Sequence, residues 1–410
     1  MNSLDFVNTV SNRTSHGIVN KANAHVQPII QASIQDRRRW LHCASMWKLV
    51  LIAVAGPLLL SWAVTAVVKR WAIRVGFVDR PGGHKQHDRV VALGGGLAIF
   101  AAITAPLLAG TIVAWVLRAS PPAWLPSLFQ THIAGIASKL PTLLGILGAA
   151  AVLHFVGFID DRRPLGPAPK FLVQFAVAGF IAGPMGVRAA QALPAPLSIG
   201  LTVLWIVLMT NAFNFLDNMD GLSAGVAAVA AAIFAVAAMN AGQIFVPVMA
   251  WVMVGALVGF LIHNFSPASI FMGDAGSLPL GFLMGVLTIL TTYYDPAKQL
   301  APIGVAVPLL VLAVPLYDVT SVVIHRHLAG VSPLQGDRRH FSHRLVRRGM
   351  STRNAVLTIY LATAATGLPA IVLPELNWVG AALLLLQCAC VVVMIALLES
   401  TPGAGTPPPT

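Results

Sequence analysis

The sequence predicts an all-α, polytopic integral membrane protein of about eleven transmembrane helices, with its chemistry-bearing polar segments in the cytoplasmic loops. Three observations predict it. Hydrophobic residues make up 57% of the 410 residues and charged residues 10%, against about 25% charged in ordinary soluble domains. Apolar runs of about 18 to 25 residues recur from residue 48 to residue 399, each long enough to cross roughly 30 Å of hydrocarbon as a helix. Between them, Lys and Arg gather in alternate loops, the pattern that marks the cytoplasmic side.

In chain order, residues 1–46 are polar and without helical or strand periodicity, with Arg37, Arg38 and Arg39 near the end; a largely disordered tail is expected. The next apolar run is too long for a signal-peptide core and lacks a small-residue cleavage site, so it stays as the first span. Spans are expected at about 48–68, 91–117, 141–159, 170–187, 196–212, 221–240, 243–263, 278–293, 301–324, 354–374 and 377–398. Residues 401–410, rich in Pro, Gly and Thr, read as a disordered cytoplasmic end, leaving 47–400 as the transmembrane unit.

With 69–90 placed in the cytoplasm, alternation places 160–169, 211–220, 264–277 and 325–353 there too. Those segments and their flanks carry 16 Lys and Arg, against four (Arg118, Lys139, Arg188, Lys298) in the opposite loops. The six basic residues from Arg13 to Lys48 run against this count, which makes Met46, just before the first span, the expected natural start. The formal charge of +12 is thus topological, and no nucleic-acid partner is expected. Cys388 and Cys390 lie in the last apolar run and read as inert thiols, and no internal repeat of the transporter kind is visible.

Five polar segments interrupt the apolar chain, all on the cytoplasmic side of this topology. Ionisable residues at span ends are costly and point to function. The first, Asp79 to His87 with Lys85, precedes Gly94, Gly95 and Gly96; a helix N-terminus beside basic groups suits phosphate, and the glycines equally suit close helix packing. The second pairs Asp160 with Asp161, followed by Lys170 and Gln174 one turn apart. Adjacent carboxylates repel, which raises one pKa or recruits a divalent cation.

In the third segment Asn211, Asn214 and Asp217 recur every three residues, with Asp220 and Gly221 beyond. One helix face then offers amides and carboxylates to a polar ligand and a hard cation, or to inter-helix hydrogen bonds. The fourth, His263 to Ser277, contains Asn264, Phe271 and Asp274 between Gly273 and Gly276. Its glycines permit a turn presenting Asp274, and Phe271 can stack on a planar base. The fifth runs from Asp318 to Arg348 through Arg338, Arg339, His340, His343 and Arg344. Such arginine density suits pyrophosphate or anionic lipid, and the histidines suit proton transfer.

Together these segments, in this order over roughly residues 48–375, resemble the polyprenyl-phosphate N-acetylhexosamine-1-phosphate transferases, in the WecA and TagO-like branch related to MraY. The resemblance implies transfer of a sugar 1-phosphate, GlcNAc-1-phosphate or another N-acetylhexosamine-1-phosphate, from a UDP-sugar to a polyprenyl (undecaprenyl) phosphate, with Mg²⁺ or Mn²⁺ and release of UMP, as the first membrane step of cell-envelope glycan synthesis. The implied location is the bacterial cytoplasmic membrane, and a homodimer is compatible with it.

Carried over by motif, Asp160, Asp161, Asp217 and Asp220 are the expected catalytic carboxylates, and Asp274, Asp217 and Asp161 the expected metal ligands. Lys85, Asn211, Asn214, Asn264, Phe271, Arg338, Arg339, His340, His343 and Arg344 are expected at the substrate. Two positions depart from the family pattern: Asn218 stands where Gly is usual, and Ser342 where His is usual. A MurNAc-pentapeptide phosphotransferase is the alternative within the enzyme class. From another class, a transporter would place its carboxylates nearer the midplane.

Overall fold

A computed structural model of the chain describes residues 47–80, 90–123, 125, 127–294, 301–330 and 340–400. The two expected tails, and Lys85, Arg338 and Arg339, lie outside the described residues. The chain runs through α1 (Trp47–Arg74), a hairpin of β1 (Val78–Asp79) and β2 (Val91–Ala92), α2 (Gly95–Leu117), α3 (Ser127–Ser138), α4 (Leu140–Arg162) and α5 (Pro167–Ala182). Next come α6 (Ala195–Leu216), α7 (Leu222–Asn240), α8 (Phe245–Asn264), α9 (Asp274–Leu290), α10 (Val307–Val311) and α11 (Ala313–Leu328). The last three are α12 (Phe341–Arg347), α13 (Thr352–Ala370) and α14 (Trp378–Ser400).

Eight helices among the described residues are long and apolar enough to cross a membrane: α1, α2, α4, α6, α7, α8, α13 with its following turn, and α14. The chain is a multi-pass α-helical membrane protein. The remaining three expected runs take shorter forms. The run at 301–324 is the pair α10 and α11, bent by 65°, where Pro308 and Pro315 interrupt the backbone ladder. The other two runs are α5, of 16 residues, and α9, of 17.

A helix of 17 residues is only about 25 Å long. α9 needs no greater length because it is enclosed by protein: every residue from Ala275 to Thr288 is buried. A helix apolar all round belongs in such a place. α1 and α14 lie at the periphery, exposing Leu51, Ile52 and Leu59 on one and Val379, Leu383 and Leu386 on the other, the surface a helix presents to hydrocarbon.

The α4–α9 contact is close because Gly157 has no side chain. A Cβ there would collide with the Asp274 carbonyl, the role small residues play where membrane helices meet. At the same end, Ala92 of the hairpin bridges Ile270 in parallel, and Gly95 N–H donates to the Phe271 carbonyl at 2.9 Å. The first polar segment is thereby fastened to the fourth.

Candidate active site

α4 ends on Asp160 and Asp161, and the two carboxylates do different things. Asp161 Oδ1 accepts from Asp274 N–H at 2.8 Å and Oδ2 from Ala275 N–H at 3.1 Å. It caps the N-terminus of α9 from another helix, satisfying two donors that the helix leaves open and placing negative charge at its positive end. Gly273, just before, has φ of +70°, a conformation that favours glycine. A Cβ there would also press on the Asp161 carboxylate.

Asp160 turns the other way. Its Oδ1 accepts from Leu165 N–H at 2.8 Å and its Oδ2 from Lys170 Nζ at 3.1 Å. Lys170, one turn into α5, also reaches Asp274 Oδ2 at 3.0 Å. The other oxygen of Asp274 accepts from Asn214 Nδ2 at 2.9 Å, and that amide also donates to Ser277 Oγ at 2.8 Å. The ends of α4, α5 and α6 and the start of α9 thus converge on the Asp274 carboxylate.

Asp217, just past α6, accepts a hydrogen bond from Gly273 N–H. Burial first, and then the neighbouring charges of Asp274 and Asp161, hold its carboxyl well above the usual carboxylate range. An acid so placed gives up its proton when a cation arrives to replace the lost hydration.

Several expected substrate contacts have structural partners in this arrangement. Asn211 Nδ2 donates to Gln174 Oε1 at 2.6 Å, joining α6 to α5. Asp220 Oδ2 accepts from Ala268 N–H at 2.9 Å, and buried Asn264 accepts from Gly221 N–H at 3.0 Å while donating to the Ile270 carbonyl at 2.9 Å. These two tie the loop after α6 to the loop before α9. Phe271 is half-buried there.

The histidine segment adjoins the C-terminal end of α6, where His340 packs against Phe215 with ring centroids 5.9 Å apart. Buried His340 contacts Asp318 Oδ2 through Nδ1 at 2.9 Å, and Phe341 N–H donates to Asp318 Oδ1 at 3.0 Å. His343 is buried on α12, its ring 6.3 Å from that of His340. Arg344 contacts Glu399 at the end of α14, Nε at 3.0 Å and the terminal nitrogen at 2.8 Å, and also Ser321 Oγ at 2.9 Å. Through its Nε and one terminal nitrogen, Arg344 ties α12 to α14 and α11.

Lys170, in sequence a near neighbour of Asp160, lies between Asp160 and Asp274 at the centre of the cluster. Its spacing from Asp160 was visible; its approach to Asp274, 104 residues on, was not. Glu399, in the last apolar run, carried no signal beyond being a carboxylate at a span end.

The donors at the site are oxygens: of the three expected metal ligands, Asp274 and Asp217 face each other across the cluster, while Asp161 has both oxygens engaged by the N–H groups of Asp274 and Ala275, with Asp160 and the Asn214 amide beside them. Among the described residues no group of three or more His, Cys, Asp or Glu side chains is placed to hold a metal ion, so at most one or two carboxylates would do so. That combination fits Mg²⁺, which is commonly held by one or two carboxylates and completed by water and substrate phosphates. It does not suit zinc, which takes nitrogen and sulfur ligands in a closed set.

Residues 143–292 match the model of glycosyl transferase family 4. The chain is similar to a probable undecaprenyl-phosphate N-acetylglucosaminyl 1-phosphate transferase of Bacillus subtilis strain 168, 34% identical over 332 residues, covering 79% of this chain and 85% of the relative. It is 32% identical over 343 residues to a decaprenyl-phosphate N-acetylglucosaminephosphotransferase of Mycolicibacterium smegmatis, covering 77% and 79%. A Yersinia pestis undecaprenyl-phosphate alpha-N-acetylglucosaminyl 1-phosphate transferase is 26% identical over 347 residues, covering 80% and 86%.

Proposed function

The chain belongs to glycosyl transferase family 4, and from that premise we propose that it transfers N-acetylglucosamine 1-phosphate from UDP-N-acetylglucosamine to a polyprenyl phosphate, releasing UMP. The observation that carries the proposal is the convergence of Asp160, Lys170, Asn214 and Asp274 within hydrogen-bond distance. Similarity to transferases named for polyprenyl phosphate and N-acetylglucosamine supports the acceptor and the sugar. The count of basic residues supports a cytoplasmic site on a bacterial inner membrane.

In the reaction, an oxygen of the lipid phosphate bonds to the sugar-bearing phosphorus of the donor, the bond from that phosphorus to the bridging oxygen breaks, and UMP leaves with the electron pair. Both partners are anionic, so charge must be neutralised before they meet. Lys170 does part of this: held between Asp160 and Asp274, it has a third N–H to offer a phosphate oxygen. A divalent cation held by Asp274 and Asp217 would supply further neutralisation of the diphosphate.

Asp161 keeps Asp274 at the head of α9 and acts as a positioning residue. Asp160, whose two partners leave lone pairs open, takes the proton of any lipid phosphate that arrives protonated. Asn214 orients the Asp274 carboxylate by occupying one of its oxygens.

The test is a panel of UDP-sugars incubated with the purified protein, undecaprenyl phosphate and Mg²⁺, with UMP as the readout. UMP formed from UDP-N-acetylglucosamine, dependent on the lipid, supports the proposal. Absence of UMP from every donor would sink it.

A further inference from the structure

Asn218, just past the end of α6, and Ser342, on α12, touch each other. Ser342 Oγ donates to Asn218 Oδ1 at 2.6 Å across 124 residues of sequence. The acceptor is aimed: Asn218 Nδ2 donates to the Phe215 carbonyl at 2.6 Å, which fixes the amide so that its oxygen faces α12. The donor has few alternatives, because Ser342 is buried.

Each end of this bond adjoins site residues. Asn218 directly follows Asp217, which faces Asp274 and Asp161 across the cluster. Ser342 lies between His340 and His343 on the same short segment. Phe215, which supplies the carbonyl, presents its ring edge to His340 with centroids 5.9 Å apart. A hydrogen bond and a ring contact therefore join the carboxylate end of α6 to the histidine segment.

We infer that Asn218 and Ser342 form a coupled pair of positioning residues, which sets the histidine segment α12 against the Asp217–Asp274 carboxylates so that both sides engage one nucleotide-sugar diphosphate. A buried hydroxyl and a half-buried amide that bond each other act as a unit, since losing either leaves the other without this partner. Substitution at one position alone is costly, and substitution at both adds little. The inference rests on the proposed transferase activity.

The test is a double-mutant cycle on UMP release, using Asn218→Ala, Ser342→Ala and the double variant, with KM measured separately for UDP-N-acetylglucosamine and undecaprenyl phosphate. Each single variant is expected to lower kcat/KM for the donor about tenfold and the double variant also about tenfold, with KM for the lipid within about twofold of wild type. Ser342→Cys preserves volume with only a weak donor and is expected at the alanine level; it carries the test if an alanine variant does not fold.

Multiplicative losses of about a hundredfold in the double variant would overturn the coupling. So would single variants that lose melting temperature but keep wild-type kcat and KM, because the bond would then only hold the fold together. A wild-type protein that releases no UMP would overturn the transferase reading itself, and with it the role of the pair.

Discussion

Lys170 Nζ lies 3.0 Å from Asp274 Oδ2, joining the first turn of α5 to the first residue of α9. The same ammonium reaches Asp160, so one cation serves two carboxylates from two other helices. Replacing it by Met keeps the aliphatic stem and removes the charge. Lys170→Met is expected to lower UMP release at least about 100-fold, the scale of losing one well-placed electrostatic contact, while the protein still elutes as a folded species in detergent. Activity within about threefold of wild type would remove Lys170 from the mechanism.

Asp161 and Asp274 separate position from chemistry. Asp161→Ala leaves the N–H groups of Asp274 and Ala275 without their acceptor, and losing such a cap costs about 1 to 2 kcal/mol. Its melting temperature and its activity should therefore fall together. Asp274→Asn retains a side chain of the same shape and should abolish UMP release with a much smaller change in melting temperature. Comparing the two variants by thermal unfolding and by activity checks both assignments.

Asp217 gives the pH dependence. Its folded-state pKa lies well above the ordinary carboxylate range through burial and its neighbours, so the folded protein holds this proton at pH values where the unfolded chain has lost it. Without metal, the contribution of Asp217 to stability is therefore greatest below the ordinary carboxylate pKa and is lost as pH rises through the raised one. Metal binding runs the opposite way, since the ligand must ionise: Mg²⁺ affinity should rise with pH and binding should release protons. Calorimetric titration in two buffers of different ionisation enthalpy measures that release, and Asp217→Asn should diminish it.

Removing divalent metal should abolish turnover without unfolding the protein. The carboxylates already have Lys170 and backbone N–H partners, so chelation with EDTA is expected to leave the melting temperature almost unchanged. Added Mg²⁺ should restore UMP release. A large drop in melting temperature on chelation would mean that the metal is structural.

Gly157 allows α4 and α9 to meet at the site. Gly157→Ala drives a methyl group into the Asp274 backbone, and overpacking of this kind typically costs about 1 to 3 kcal/mol. Both melting temperature and UMP release should fall. By contrast, Gly148→Ala on the same helix, where a Cβ meets nothing within 4 Å, should preserve both.

Much of this architecture was legible in the sequence because each part is a local property of the chain. Apolar length located all eleven runs, and costly polar residues at their ends located the segments that meet in space. The shortness of α5 and α9 was not legible, since it depends on which helices surround them. The partners within the site were hidden for the same reason. Lys170 and Asp274, Asp318 and His340, and Arg344 and Glu399 are separated by 104, 22 and 55 residues, and no periodicity within a helix links them. Arg344 illustrates the point: its position in a basic loop suits pyrophosphate, and its contact with Glu399 is not visible from that position.

The central claim is that the carboxylate cluster serves transfer of a sugar phosphate to a lipid phosphate, and a mass balance on a single reaction tests it most directly. Wild-type protein incubated with UDP-N-acetylglucosamine, undecaprenyl phosphate and Mg²⁺ should yield UMP and undecaprenyl diphosphate N-acetylglucosamine in equal amounts, with the lipid product identified by mass spectrometry. Release of UDP in place of UMP, or UMP without the matching lipid diphosphate, would contradict the account.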